Sequence, residues 1–161
     1  MALTRVKSAG VTSGSFLASV TTSDMPTGSV LQVVQTTNTT DTNITSATNF
    51  MTVTITPSST SNKILIMGIL ASVARRHNSN SEGLYTLVRD STTINTVDGI
   101  TPWNAGNTGQ RSVGSISFNY LDSPSTTSAT SYHFTAQCSN SGVNINNEGG
   151  VSSLTAIEIA G

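Results

Sequence analysis

Charge is what this sequence has least of. Only 9% of its 161 residues are Asp, Glu, Lys or Arg, where an ordinary soluble domain carries about a quarter. Seven basic and eight acidic residues leave a formal net charge of −1. So few Lys and Arg leave no electrostatic footprint for a phosphate backbone, so nucleic acid is not expected as a partner. Cys138 is the only cysteine, which excludes an intrachain disulfide and a multi-cysteine zinc site. Aromatics make up 5%, with one tryptophan. No apolar run approaches the ~18 residues of a membrane helix. The longest, 64–74, is interrupted by Gly68 and Ser72, so no membrane insertion is expected. The N-terminus is basic at Arg5 and Lys7, but no apolar stretch of a secretory leader follows. Synthesis in a cytosol is the expectation.

Motifs of catalysis are also missing. There is no glycine-rich phosphate loop and no Gly-x-Ser-x-Gly elbow. His133 and Cys138 are five apart in one expected strand, so they point to opposite faces and make no nucleophile pair. Asp90, Asp98, Asp122, Glu148 and Glu158 are the carboxylates a glycosidase could draw on, but their spacing singles out no pair. The reading is not an enzyme, with no catalytic residue, no cofactor and no metal site.

Serine and threonine, about a third of the chain, take the place of charge. Ser and Thr compete with helical hydrogen bonds, while Thr suits strands. Strand patterns follow one another from residue 29 on. Met51, Val53 and Ile55 alternate with Thr52, Thr54 and Thr56, the period of a half-buried strand. The run 63–73 is nearly all apolar, which predicts a strand buried on both faces. Further strands are expected at 30–35, 84–89, 92–97, 111–121, 132–138, 143–145 and 154–159, with a bulge near Gly114. The similar stretches after Pro57 and Pro124 read as hairpin turns. Met51, Val53, Ile55, Ile64, Ile66, Leu87, Phe118, Phe134 and Ile157 form the expected core. Many short strands without a helix predict an all-β fold, an antiparallel β-sandwich of the jelly-roll kind.

Residues 1–27 differ from the rest: small, polar and punctuated by Gly10 and Gly14, yet holding Phe16, Leu17 and Val20. Free tails tend to lack such residues. The expected division is an extended N-terminal arm at 1–27 and a sandwich head at 28–161, with Phe16, Leu17 and Val20 anchoring the arm on a particle. Two loops could hold a ligand. One contains Arg75, Arg76 and His77. The other contains Trp103 with Asn104 and Asn107, an apolar plate with amide groups suited to a sugar.

Five segments in order carry a resemblance: PTGSVLQVVQ at 26–35, ITPSSTSNKILI at 55–66, LVRDST at 87–92, YLDSPSTTSATSY at 120–132 and LTAIEIAG at 154–161. Together they resemble small structural domains of tailed bacteriophages of aquatic bacteria, found as tail-fibre heads and as free-standing virion proteins. The resemblance spans residues 26–161 and none of its segments is catalytic. It implies a compact sandwich, homotrimeric like tumour-necrosis-factor and complement-type heads, made in the host cytoplasm and displayed on the virion surface. Fibre heads usually follow a long shaft, and only about 25 residues precede this one. The expectation is therefore a capsid decoration or cement protein, or a head fibre, partnered by a major capsid protein or a tail or fibre adaptor. The alternative is the receptor-binding tip of a tail fibre, taking a host surface glycan through the Trp103 loop.

Overall fold

The structure, a computed structural model, describes residues 21–76, 83–98, 111–138 and 142–161. Ten strands hold most of them: β1 (Val30–Asn38), β2 (Thr42–Ile44), β3 (Thr48–Ile55), β4 (Lys63–Arg76), β5 (Gly83–Arg89), β6 (Thr92–Asp98), β7 (Arg111–Asp122), β8 (Thr130–Cys138), β9 (Val143–Ile145) and β10 (Ser152–Ile159). Among the described residues the only helical element is a 3-10 turn, Thr22–Asp24.

The pairing is nested. β1 pairs with β10, β2 with β9, β3 with β8, β4 with β7 and β5 with β6, all antiparallel. The chain thus doubles back about the β5–β6 hairpin, and this long ribbon then rolls up. Rolling adds β10 and β9 along the free edge of β4, and β8 along β5. Two sheets result, one of six strands and one of four in the order β3-β8-β5-β6. This is the all-β, jelly-roll sandwich expected from the strand pattern.

Period-two alternation builds the core between the sheets. Met51, Val53 and Ile55 are buried while Thr52 and Thr54 face water. On β8, Tyr132, Phe134 and Ala136 point inward. They meet Ile64, Ile66, Leu70, Leu154 and Ala156 of the opposite sheet. The sheets approach closely at Gly68, where a Cβ would lie 2.5 Å from Phe134 Cζ. Gly68→Val should therefore overpack the site and cost about 1–3 kcal/mol. A lower urea midpoint at unchanged slope is the expected readout.

Several expectations change. The run 63–73 is not buried on both faces within the chain: Ile64, Ile66 and Leu70 are inside, but Met67 and Ile69 are exposed. The irregularity opposite Gly114 exists, but the extra residue belongs to β4. Leu70 faces Ile116 and Val73 faces Gly114, so three steps on β4 match two on β7. Ser72 takes the strain with φ 46°. The stretches after Pro57 and Pro124 are not hairpin turns, because β3 and β4, like β7 and β8, lie in different sheets. Both are arches between sheets, related places in the roll, which accounts for their similar sequences. Within the expected core, Phe118 is only half-buried, and Ile157 points outward between inward-facing Ala156 and Glu158.

Candidate functional site

The sandwich has two unlike ends. At one, the base, Val30, Ile159 and Lys63 stand side by side, and Asp122 lies next to Ile64. The N-terminal stretch joins the sheet there, through Gly28 N–H to Ala160 O at 2.8 Å and Ala160 N–H to Ser29 O at 2.9 Å. At the far end, Arg76 pairs with Arg111, Gly83 with Cys138 and Leu84 with Asp98. The connections 77–82, 99–110 and 139–141 all leave from that far end. Arg75 and Arg76 are the last residues of β4, paired with Ser112 and Arg111. Phe16, Leu17, Val20, His77, Trp103, Asn104 and Asn107 lie outside the described residues.

The two outer faces also differ. On the six-stranded sheet one row crosses four strands: Val33, Ile157, Leu65 and Leu121 are successive partners on β1, β10, β4 and β7. Val33 is 58% and Leu121 50% exposed, and Ile157 and Leu65 are half-buried. The next rows are Gln35, Thr155, Met67 and Asn119, then Thr37, Ser153, Ile69 and Ser117. Met67, Ile69, Ser117, Asn119, Ser153 and Thr155 line a shallow groove of about 460 Å³ above Gly68. Of the nine large hydrophobics exposed among the described residues, five, Val30, Val33, Met67, Ile69 and Leu121, belong to this face or its lower margin. Lys63, beside Ile159 at the lower margin, is the only charge in these rows.

The outer face of the four-stranded sheet is mostly hydroxyl and amide. Asn49, Thr135, Thr86 and Thr96 align, as do Thr52, His133, Val88 and Thr93. Thr54 and Ser131 share a hydrogen bond of 3.1 Å. Burial holds the His133 imidazole below its ordinary pKa, with Asp90 opposing. Cys138 is buried at the end of β8, so it and His133 point to opposite sides as expected.

Two carboxylates lie on one inward row at the base, in the order Gln32, Glu158, Ile64, Asp122. Glu158 is 1% exposed. One oxygen accepts from Ser58 N–H at 2.6 Å, Ser58 Oγ at 2.9 Å and Asn62 Nδ2 at 2.6 Å, the other from Gln32 Nε2 at 2.6 Å. Burial pushes its pKa up, but the hydrogen bonds from Asn62, Gln32 and Ser58 together win and hold it below the ordinary value. Asp122 accepts both oxygens' bonds from Arg89 Nη1 at 2.9 Å and one from Tyr132 Oη at 2.7 Å. Burial and then the bond to Asp122 push the Tyr132 phenol up, and its proton stays on. The hydrogen bond to Asp122 keeps the Arg89 guanidinium charged. These bonds tie β7 of one sheet to β5 and β8 of the other. Asp122 ends β7 and clasps the opposite sheet. Both carboxylates have hydrogen-bond donors on each oxygen. Among the described residues no group of three or more His, Cys, Asp or Glu could hold a metal. No described helix is long and apolar enough to cross a membrane.

Neither the outer row nor the base layer is marked by a motif. The available signals are weak: Glu158 stands alone between two isoleucines, and Leu121 follows outward-facing Asn119 and Ser117.

No protein-family model and no curated protein matches the chain. Among solved structures it is similar to the infectious bursal disease virus VP2 subviral particle, with 16% identity over 81% of this chain and a TM-score of 0.43. It is similar to the Gt strain of infectious bursal disease virus, with 18% identity over 81% of this chain and a TM-score of 0.44. For T=1 particles derived from the same virus the identity is 19% and the TM-score 0.38. The chain spans about a third of the length of these solved chains, 32–33%.

Proposed function

We propose that this protein is a non-enzymatic surface protein of a bacteriophage particle. It is a capsid decoration or cement protein, or a head fibre, and a homotrimer. The stretch at 1–27 is its attachment arm and 28–161 its displayed head. The five-segment resemblance supplies the virion reading. The observation that carries attachment is the polarity of the sandwich: the chain joins at the base, and the connections 77–82 and 99–110 leave from the opposite end. Such a domain is suited to being held at one end and displayed at the other. Phe16, Leu17 and Val20 are the anchors, and each large apolar side chain contributes about 1.5–3 kcal/mol when fully buried. Three arms per trimer add effective concentration, so weak single contacts suffice. The partner is a major capsid protein or a tail or fibre adaptor.

Deleting residues 2–25 should leave a folded oligomer that no longer joins particles lacking the protein. Full occupancy by the truncated chain would move attachment to the sandwich. Imaging the particle tests the location: a decoration protein is expected in many more copies than a tail tip.

The second reading is a receptor-binding fibre tip that takes a host glycan through Trp103, Asn104 and Asn107. It draws on the same polarity, since the strand ends that bear the 77–82 and 99–110 connections share the far end. Glycan-array binding that is lost in Trp103→Ala would favour it.

A further inference from the structure

The geometry points to the outer face of the six-stranded sheet as the surface that three copies of this chain turn toward a common three-fold axis. The contact gives the homotrimer proposed above its interface and rests on that reading for its symmetry.

The composition of the face selects the occupant. The row Val33, Ile157, Leu65 and Leu121 is apolar on all four strands, and the rows above it are neutral. Groups close to a three-fold axis lie near their own copies, so like charges there are the main obstacle to self-association. Here Lys63 at the lower margin is the only charge in the rows, and the rest of the face can meet itself without repulsion. A basic partner would find no charge in these rows to pair with, and an acidic one only Lys63 at the margin.

Four strands about 4.8 Å apart and seven residues at about 3.4 Å make a flat area on the order of 400 Å². That is half of the ~800 Å² a standard stable contact takes from each partner, so the contact takes in the margins of the sheet as well. The opposite outer face, Thr52, Thr54, Ser131 and Thr135, is polar and suited to water. The run 63–73, too apolar for one-sided burial, acquires its second covered side in this arrangement. The groove between Met67 and Ile69 offers room for side chains from the neighbouring copy.

Sedimentation of the full chain at micromolar concentration, alone and as Met67→Glu/Leu121→Glu, tests this. The expected result is a trimer of 16.7 kDa chains that falls to monomer in the double variant with its far-ultraviolet spectrum retained. Thr52→Glu on the other sheet should stay trimeric. A double variant that stays trimeric overturns the face and leaves the trimer reading intact. A dimer that the double variant dissociates keeps the face and overturns the trimer. A monomeric wild type overturns both. Should the double variant not fold, Val33→Cys with a short bis-maleimide gives the answer: covalent multimers are expected, and none for Thr52→Cys. Equal cross-linking at both positions overturns the face. So does a monomer whose Val33→Cys thiol is shielded from maleimide, which would assign the face to the chain's own N-terminal stretch.

Discussion

Truncating Phe134 to alanine should destabilise the sandwich by about 3–5 kcal/mol, the range for a fully buried phenylalanine. Its exposure is 0%, and its ring stands edge-on to Phe118 at 87°, with centroids 3.8 Å apart. It also fills the space that Gly68 leaves open. Gly68 has no side chain to collapse into the void, so the cavity should persist and the cost should fall in the upper part of that range. A domain of this size is stable by about 5–15 kcal/mol in total, so a large share would be lost. The expected fall in Tm is on the order of 10 °C. A near-neutral variant would mean that β8 is out by one residue, which would turn Tyr132, Phe134 and Ala136 outward together.

Glu158→Gln should cost about 3 kcal/mol at neutral pH. Hydrogen bonds to a charged group contribute roughly 1.5–3 kcal/mol. The amide keeps one acceptor but turns an N–H₂ toward groups that already donate: Ser58 N–H, Asn62 Nδ2 or Gln32 Nε2. The pH dependence gives a second readout. The Glu158 carboxyl titrates below its ordinary 4.5 in the folded chain. Its stabilisation is therefore complete above the unfolded value and is lost as pH falls through the lower folded value. The difference between wild type and Glu158→Gln, followed by urea unfolding, should be constant from pH 7 to about 5 and narrow on the acid side of 4.5. A gap that stays constant down to pH 2.5 would show that the bonds from Ser58, Asn62 and Gln32 do not depend on the charge.

The strands themselves are legible without coordinates. Met51, Val53 and Ile55 against Thr52 and Thr54, or Tyr132, Phe134 and Ala136 against their neighbours, show the period of two, a property of adjacent residues. That suffices for the class, the approximate strand limits and most of the core. The lone cysteine likewise excludes an intrachain disulfide from composition alone. Pairing is another matter. It brings residue 30 beside 159 and residue 64 beside 122, and no window of sequence contains such neighbours. The stretches after Pro57 and Pro124 therefore read as hairpins until the sheets they join are known. Ile157 has the same local look as Ile64, yet one faces out and the other in, because alternation marks two faces without saying which is the core. Glu158 meets donors contributed by residues 32, 58 and 62. The apolar row is contributed by residues 33, 157, 65 and 121. Period is set by the geometry of one strand, whereas a face or a buried polar layer arises from the registry between segments 56 to 126 residues apart, which only the rolled ribbon supplies.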